Sequence, residues 1–427
     1  MSSVGADSAT LRAQSRSFAL SVLRSKAGRL LDILVGFWIF SGGFVLFEPS
    51  PYELTFLAVL PVAIFAGMGL YRSTFGLFAI MVGFTPFALI AVFQVRITPL
   101  DEALIFTVVT IFLLLTSYFI ANYLAEDTTR RTRLVMTAYT AAAVMVALVA
   151  VLAYLGLIPG ADLFVLYGRA KGTFKDPNVY GPFLVLPAMF ALQRVLLFKG
   201  RKALIAAAIY GILFVGVFVS FSRAAWGHFA LSSLMVLVLL FWLEAAARDK
   251  VRIMIMSLVG LVMLGVALGG LLSIPAVSSL FEQRAAGQAY DQGETGRFGR
   301  QGYAFDLALE NPWGIGPKEF RNLKIAEDPH NVYAAVLHVY GWGGGFFYYM
   351  LAILTLWRGF SALARPSPYR LIMIPLISTF AMLAGESAII DTDHWRHYFL
   401  IAGMIWGIST AIRNSPRTKA PREQMVI

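Results

Sequence analysis

Cysteine is absent from the chain, and charge is scarce: 14% of the residues are Asp, Glu, Lys or Arg, and there are 5 histidines. Without cysteine there is no disulfide framework, no thiol chemistry and no Cys-ligated metal. A soluble domain carries about 25% charged residues, so a soluble globular enzyme is excluded, as are disordered and fibrous chains. The alternation of apolar and polar residues that a membrane barrel needs is also missing. What remains is apolar. Hydrophobic residues make up 58% of the 427, with 37 glycines and 34 phenylalanines, and the mean hydropathy is +0.72. The composition predicts an all-α, polytopic membrane protein, a single integral membrane domain over residues 1–427.

A span needs about 20 apolar residues. Twelve segments qualify, near 30–47, 53–70, 75–95, 103–124, 134–156, 179–198, 203–221, 225–245, 252–273, 332–356, 370–389 and 395–412. The first follows a basic lead over 1–29 and lacks a small-residue cleavage site, so it reads as a retained anchor. Within that lead, Leu11, Phe18, Leu20, Val22 and Leu23 alternate with Arg12, Arg16, Arg24 and Lys26. That pattern suits an interfacial helix on the inner leaflet, with a disordered tail as the alternative. The formal charge of +11 points to basic cytoplasmic loops, not to nucleic acid. With both termini inside, most lysines and arginines outside the spans fall on the inner side, as the positive-inside rule requires. The longest polar stretches, 274–331 and 157–178, then lie outside with the turns 222–224 and 390–394. No internal repeat is evident.

The costly residues concentrate in those outer segments. Ser222-Arg223 sits between two apolar helices. An arginine there either snorkels to head groups or is a fixed cation for an anionic substrate. Arg169, Lys171, Lys175, Asp176 and Asn178 form either an anion site or a solvated loop. In 274–331, Arg297 and Arg300 open an amphipathic helix that runs to Glu310, with Tyr303, Phe305 and Leu307 facing the protein or the bilayer surface. Asn311-Pro312 stops it. Gly314 and Gly316 make a turn, and Pro317 to Leu323 forms a further short helix. Asp328 or Asn331 caps the next span, with His330 at its start. A histidine at a helix N-terminus stays neutral and suits a general base; the alternative is a structural cap. His228 and His338 read as packing or hydrogen-bonding residues. Asp391-Thr-Asp393-His394 has a D-x-D pair that can hold a hard cation, reads equally as a polar turn, and offers Asp393 as a partner for Arg396.

Three stretches resemble the O-antigen ligase and polymerase family of bacterial envelope glycosyltransferases. They are Gly172-Thr-Phe-Lys-Asp-Pro-Asn-Val-Tyr180, Ser222-Arg223-Ala-Ala-Trp226, and Arg297 through Asn311-Pro-Trp-Gly-Ile-Gly316 and His330-Asn331 to Gly344. They cover roughly 172–344. The resemblance implies a GT-C-like fold and an enzyme of the inner membrane whose site faces the periplasm in the partly helical loop 274–331. Such an enzyme moves a glycan from undecaprenyl pyrophosphate to a lipid A-core sugar hydroxyl, with inversion and without a metal or cofactor. A polymerase would instead join lipid-linked repeats. The implied roles are catalytic base for His330, diphosphate binding for Arg223, Arg300 and Arg297, and supporting contacts from Asn331 and Ser222. The partners implied are the lipid-linked glycan donor, the lipid A-core or lipid-linked acceptor and membrane lipids, with no nucleic acid. A twelve-span sugar or lipid transporter is the rival from another class. The short link near Phe198 to Ala203 and the lack of parallel repeats argue against it.

Overall fold

A backbone crossing hydrocarbon finds no water to bond, so an apolar run closes its hydrogen bonds within a helix. The structure, a computed structural model, describes residues 23–285, 293, 296–323 and 327–415. Helix α1 covers 23–41. It is followed by α2 (Pro51–Ala66), α3 (Phe75–Val92), α4 (Leu100–Glu126), α5 (Thr128–Tyr154), α6 (Pro177–Phe183) and α7 (Val185–Leu197). The second half comprises α8 (Gly200–Val219), α9 (Arg223–Leu243), α10 (Ala247–Leu272), α11 (Pro275–Ala285), α12 (Arg297–Glu310), α13 (Val332–Leu363), α14 (Arg370–Glu386) and α15 (Arg396–Asn414). The only strands among the described residues are β1 (Val165–Leu166) and β2 (Arg169–Ala170), paired antiparallel with Val165 opposite Ala170.

All twelve expected spans overlap helix, although 42–47 of the first and 67–70 of the second lie beyond its end. Among the described residues, eight helices are long and apolar enough to cross a membrane: α3, α4, α5, the α6–α7 pair, α8, α9, α10 and α13. The others fall short for visible reasons. Helix α2 has 16 residues and α14 has 17. Helix α15 carries Arg396, His397 and Arg413. Of the expected amphipathic lead, Leu11, Arg12, Arg16, Phe18, Leu20 and Val22 lie outside the described residues; Leu23, Arg24 and Lys26 are helical and continuous with α1. The chain is a multi-pass helical membrane protein.

Small residues bring the helices together. Gly403 of α15 faces Ser117 and Ile120 of α4, and Gly407 faces Ala121. Without a hydrophobic force between spans, such close backbone approach is what drives helix association. Helix α10 is the exception: Ile253 is its one buried residue.

Helix α13 is broken at Gly341, whose φ of 71° and ψ of −178° are not helical. The break releases the carbonyls of His338 and Val339 from their partners one turn ahead. The segment 311–316 restores them. Ile315 N–H donates to His338 O at 2.7 Å, and Gly316 N–H donates to Val339 O at 3.2 Å. On the far side of the break, Trp342 N–H donates to Pro312 O at 2.9 Å, and the Trp342 indole donates to Ala308 O at 2.7 Å. The loop is thus stitched into a kinked span, and the glycines are what allow it. A Cβ on Gly314, at φ +83°, would strike Val339 O and lie 2.7 Å from Gly341 N.

This stitching sets a stability prediction. Left-handed backbone costs a non-glycine residue about 1–2 kcal/mol, and here a backbone clash adds to it. Gly314→Ala is expected to destabilise by more than ~2 kcal/mol in thermal unfolding in detergent. Gly211→Ala, in the middle of α8 with nothing within 4 Å of its Cβ, is expected to be neutral or stabilising by up to about 1 kcal/mol.

Candidate functional site

The chain segments at one end of the helices are tied to one another. Val45 N–H donates to Thr173 O at 2.8 Å, and Lys175 pairs with Glu48 at 3.0 Å. Glu319 reaches across from 311–331 to the α3–α4 connection. Its carboxylate accepts the backbone N–H groups of Arg96 at 3.1 Å, Ile97 at 3.0 Å and Thr98 at 2.9 Å. Burial opposes that charge, but the bonds from Thr98, Ile97 and Arg96 outweigh it and hold the carboxyl below its ordinary value.

His330 is placed by its neighbours on every side. Asn331 caps α13 by accepting Ala334 N–H at 3.2 Å, and Val332 N–H donates to Ser387 O at 2.8 Å. Gln301 of α12 donates to His330 O at 3.2 Å and accepts from the Asn331 amide at 3.4 Å. These bonds hold His330 at φ +50°, a left-handed conformation that a bulky residue keeps only under constraint. Its Nδ1 lies 2.6 Å from Asp391 Oδ2, and both side chains remain about 30% exposed, at 30% and 29%. An Nδ1–H donated to the carboxylate leaves the Nε2 lone pair as the proton acceptor. Burial raises the Asp391 carboxyl above its ordinary value, against the pull of His330.

The second aspartate serves a different histidine. Asp393 lies 3.1 Å from His394 Nδ1, and His394 Nε2 lies 3.1 Å from Thr110 Oγ1, which bonds Tyr340 at 2.8 Å. Burial opposes both charges, yet mutual attraction wins: Asp393 is held below its ordinary value and His394 above. The D-x-D pair is therefore split between two histidines. Arg396 pairs with Glu53, at 2.6 Å, and not with Asp393; the short turn points Asp393 back at its own neighbour. Among the described residues no three His, Asp or Glu gather as a metal-ligating group.

Arg300 lies on the inward face of α12 with Ala304, Leu307 and Ala308, is 1% exposed, and pairs with Glu327. Arg297 opens the same helix and is half-buried. Of the expected surface residues of α12, Leu307 is buried, Tyr303 half-buried and Phe305 exposed.

Arg223 is the first residue of α9, where Ser222 caps the helix by accepting Ala225 N–H at 3.4 Å. The hairpin of 157–178 folds onto this corner. Arg169 donates to Ser220 O at 2.9 Å and to Asn178 Oδ1 at 2.7 Å and is 9% exposed, so at Arg169 the loop is not solvated. His228, about 7.5 Å of helix rise beyond Arg223, lies 2.8 Å from Glu386, with both side chains essentially buried. Its Nε2 lies 3.1 Å from Thr379 O. Glu386 precedes Ser387, the residue that holds Val332. A buried polar line thus joins the Arg223 corner to the His330 turn. His338 bonds Ala334 O within its own helix at 3.0 Å.

Three of these residues have roles that the sequence does not reveal. Asp391 was read as a metal ligand or turn residue, because nothing in its spacing reveals a partner 61 positions away. Glu386 sits in an apolar run, where a lone carboxylate was itself the available signal. Arg321, in the short 3₁₀ turn Glu319–Asn322, donates to Asp328 at 2.8 Å and is drawn further by Asp391 and Asp393. It puts a guanidinium on the rim of the His330–Asp391 pair, and only the folded loop brings it there.

Glu319 gives a pH prediction. A carboxyl held below its ordinary value contributes stability that is present above the unfolded-state pKa and is lost as pH falls through the folded-state pKa. Acidification through the carboxylate range is expected to speed amide exchange at Arg96, Ile97 and Thr98. Glu319→Gln is expected to raise exchange there at neutral pH and to abolish its acid dependence, as read by hydrogen–deuterium exchange. Unchanged exchange in that variant would remove the clamp from the account.

No curated protein matches the chain. Residues 206–349 match the family model described as O-antigen ligase. The matched segment contains Ser222, Arg223, Arg297, Arg300, His330 and Asn331, together with the Gly341 break and the 311–316 segment that repairs it; Arg169 and Asp391 lie outside it. About a third of this multi-pass chain, residues 206–349, is thus similar to the O-antigen ligase family.

Proposed function

We propose that the protein is a lipid-linked oligosaccharide transferase of the ligase type. It would take a glycan from undecaprenyl pyrophosphate and attach it to a lipid A-core sugar hydroxyl at the periplasmic face of the inner membrane, with both termini in the cytoplasm. The catalytic region would be 172–344, with 274–331 as its periplasmic loop. One observation carries the reading: His330, on the same loop as the buried Arg300, pairs with Asp391 of the α14–α15 turn, and both stay partly exposed.

The chemistry asks for two things. A diphosphate leaving group is a weak base and needs its developing charge stabilised more than it needs a proton. Arginine forks do this bidentately, and Arg223, Arg300 and Arg297 are the candidates, with Ser222 fixing the turn before Arg223. The acceptor hydroxyl is a poor nucleophile. His330 Nε2 would take its proton as the oxygen attacks the anomeric carbon, and Asp391 would stabilise the imidazolium that forms. The new C–O bond forms as the C–O bond to diphosphate breaks, so a single displacement inverts the anomeric centre. Asn331 would hold the His330 backbone.

The test is reconstitution in nanodiscs with undecaprenyl-pyrophosphate glycan, EDTA throughout, and either lipid A-core or further lipid-linked repeat as acceptor. Product on lipid A-core is expected, with a loss of about 10²–10⁴-fold in His330→Ala and a comparable loss in Arg223→Ala. Product only as longer lipid-linked chains would make the protein a polymerase with the same site. A folded sample that glycosylates neither acceptor would favour the transporter. A fully active His330→Ala would remove the base.

A further inference from the structure

The corner at the start of α9 gathers arginines from three separate elements. Arg223 comes from the helix itself and Arg169 from β2. Arg284 comes from α11, which lies over the corner. Its Phe281 stacks on Trp226 at 5.5 Å and on Phe218 at 6.1 Å. One turn before Arg284, Leu280 faces Gly168, with 3.9 Å from the position of a Cβ there. Residues four apart share a helix face, so Arg284 stands over the hairpin that presents Arg169. Asp176, the carboxylate that acts on Arg169, is occupied in capping α6, accepting Asn178 N–H at 2.6 Å.

This arrangement is costly as it stands. Arg169 is nine-tenths buried, and its bonds go to neutral oxygens, Ser220 O and Asn178 Oδ1. Burial lowers its guanidinium to about 10, Arg284 lowers it further, and Asp176 only partly opposes them. The Nε of Arg284 is buried without a hydrogen-bond partner. A buried cation such as Arg169 normally has an anion beside it. Below them, the stacked rings of Phe218, Trp226 and Phe281 keep the floor of the corner apolar, and low polarity strengthens any charge pairing made above it. The N-terminus of a 21-residue helix adds N–H groups and partial positive charge at the same point.

We propose that Arg169 and Arg284 complete, with Arg223, a phosphate-binding station that takes the diphosphate headgroup of a prenyl-linked substrate. The proposal rests on the transferase reading, and it names two residues that the family match does not assign. In this station the diphosphate is gripped from three sides at the α9 corner, and the prenyl chain leaves over the apolar outer surface.

Binding tests this directly, without turnover. The full-length protein in phosphatidylcholine nanodiscs would be titrated calorimetrically with inorganic pyrophosphate, farnesyl diphosphate and farnesol. Wild type is expected to bind both diphosphates and not farnesol. Arg284→Gln, on a half-exposed helix, is expected to weaken diphosphate binding by about tenfold or more. Arg169→Lys, which keeps the charge but loses the fork, is expected to weaken it also, while His330→Ala binds as wild type does. Thermal unfolding confirms that each variant is folded. If Arg284→Gln and Arg169→Lys bind diphosphate like wild type, the station is wrong and the transferase reading stands. If wild type binds neither diphosphate, both fall. If the arginine variants lose only the effect of added phosphatidylglycerol and keep diphosphate affinity, the corner is a bilayer contact and the proposal is overturned.

Discussion

Two carbonyls released where α13 turns through a left-handed glycine at 341 are bonded again by the N–H groups of Ile315 and Gly316. In a span no water is available to do this, so the 311–316 segment is bound to the helix by necessity. Much of the functional end follows from that constraint. The stitch fixes the end of α12 through Trp342 and Ala308, and with it the inward face that carries Arg300. It also sets where the chain returns to α13. There Asn331 caps the helix, and His330 is caught between Gln301 and Asp391. Glu319 then anchors the same loop to the α3–α4 connection.

The charges at this end fall into two groups with different environments. Around His330, cations and carboxylates alternate: Arg321 with Asp328, His330 with Asp391, His394 with Asp393. That balance suits proton transfer, because each charge that forms has a counter-charge already in place. At the α9 corner Arg169 stands beside Arg284, and Asp176, the carboxylate that partly opposes them, already caps α6. That imbalance suits an anionic ligand. The buried His228–Glu386 pair lies between the groups and links α9 to the end of α14.

The fold was legible because its signals are local. Continuous apolar runs, proline and glycine stops and the basic inner loops located twelve helical segments. The cap at Asn331, the α12 helix from Arg297 to Glu310 and the short turn within Pro317 to Leu323 were readable for the same reason. The site was legible only where a motif ran along the chain. His330, Arg223 and Arg300 stood out. Asp391 did not, because its role depends on the α14–α15 turn meeting the start of α13. The alternative that pairs Asp393 with Arg396 fails for the same reason: Glu53 is far in sequence and adjacent in the fold. The need for three glycines in 314–341 becomes clear only when two backbones are seen to occupy one kink.

The central claim is that Asp391 makes His330 a base. It is tested most directly by the pH dependence of kcat for wild type, Asp391→Asn and Asp391→Glu with saturating donor. Burial holds Asp391 above its ordinary value, so the wild-type rate should fall on acidification while typical carboxylates are still ionised. Asp391→Asn should lower kcat by about 10²- to 10⁴-fold with little change in KM, and Asp391→Glu should recover part of the rate. An Asp391→Asn enzyme with the wild-type rate and pH profile would contradict the account.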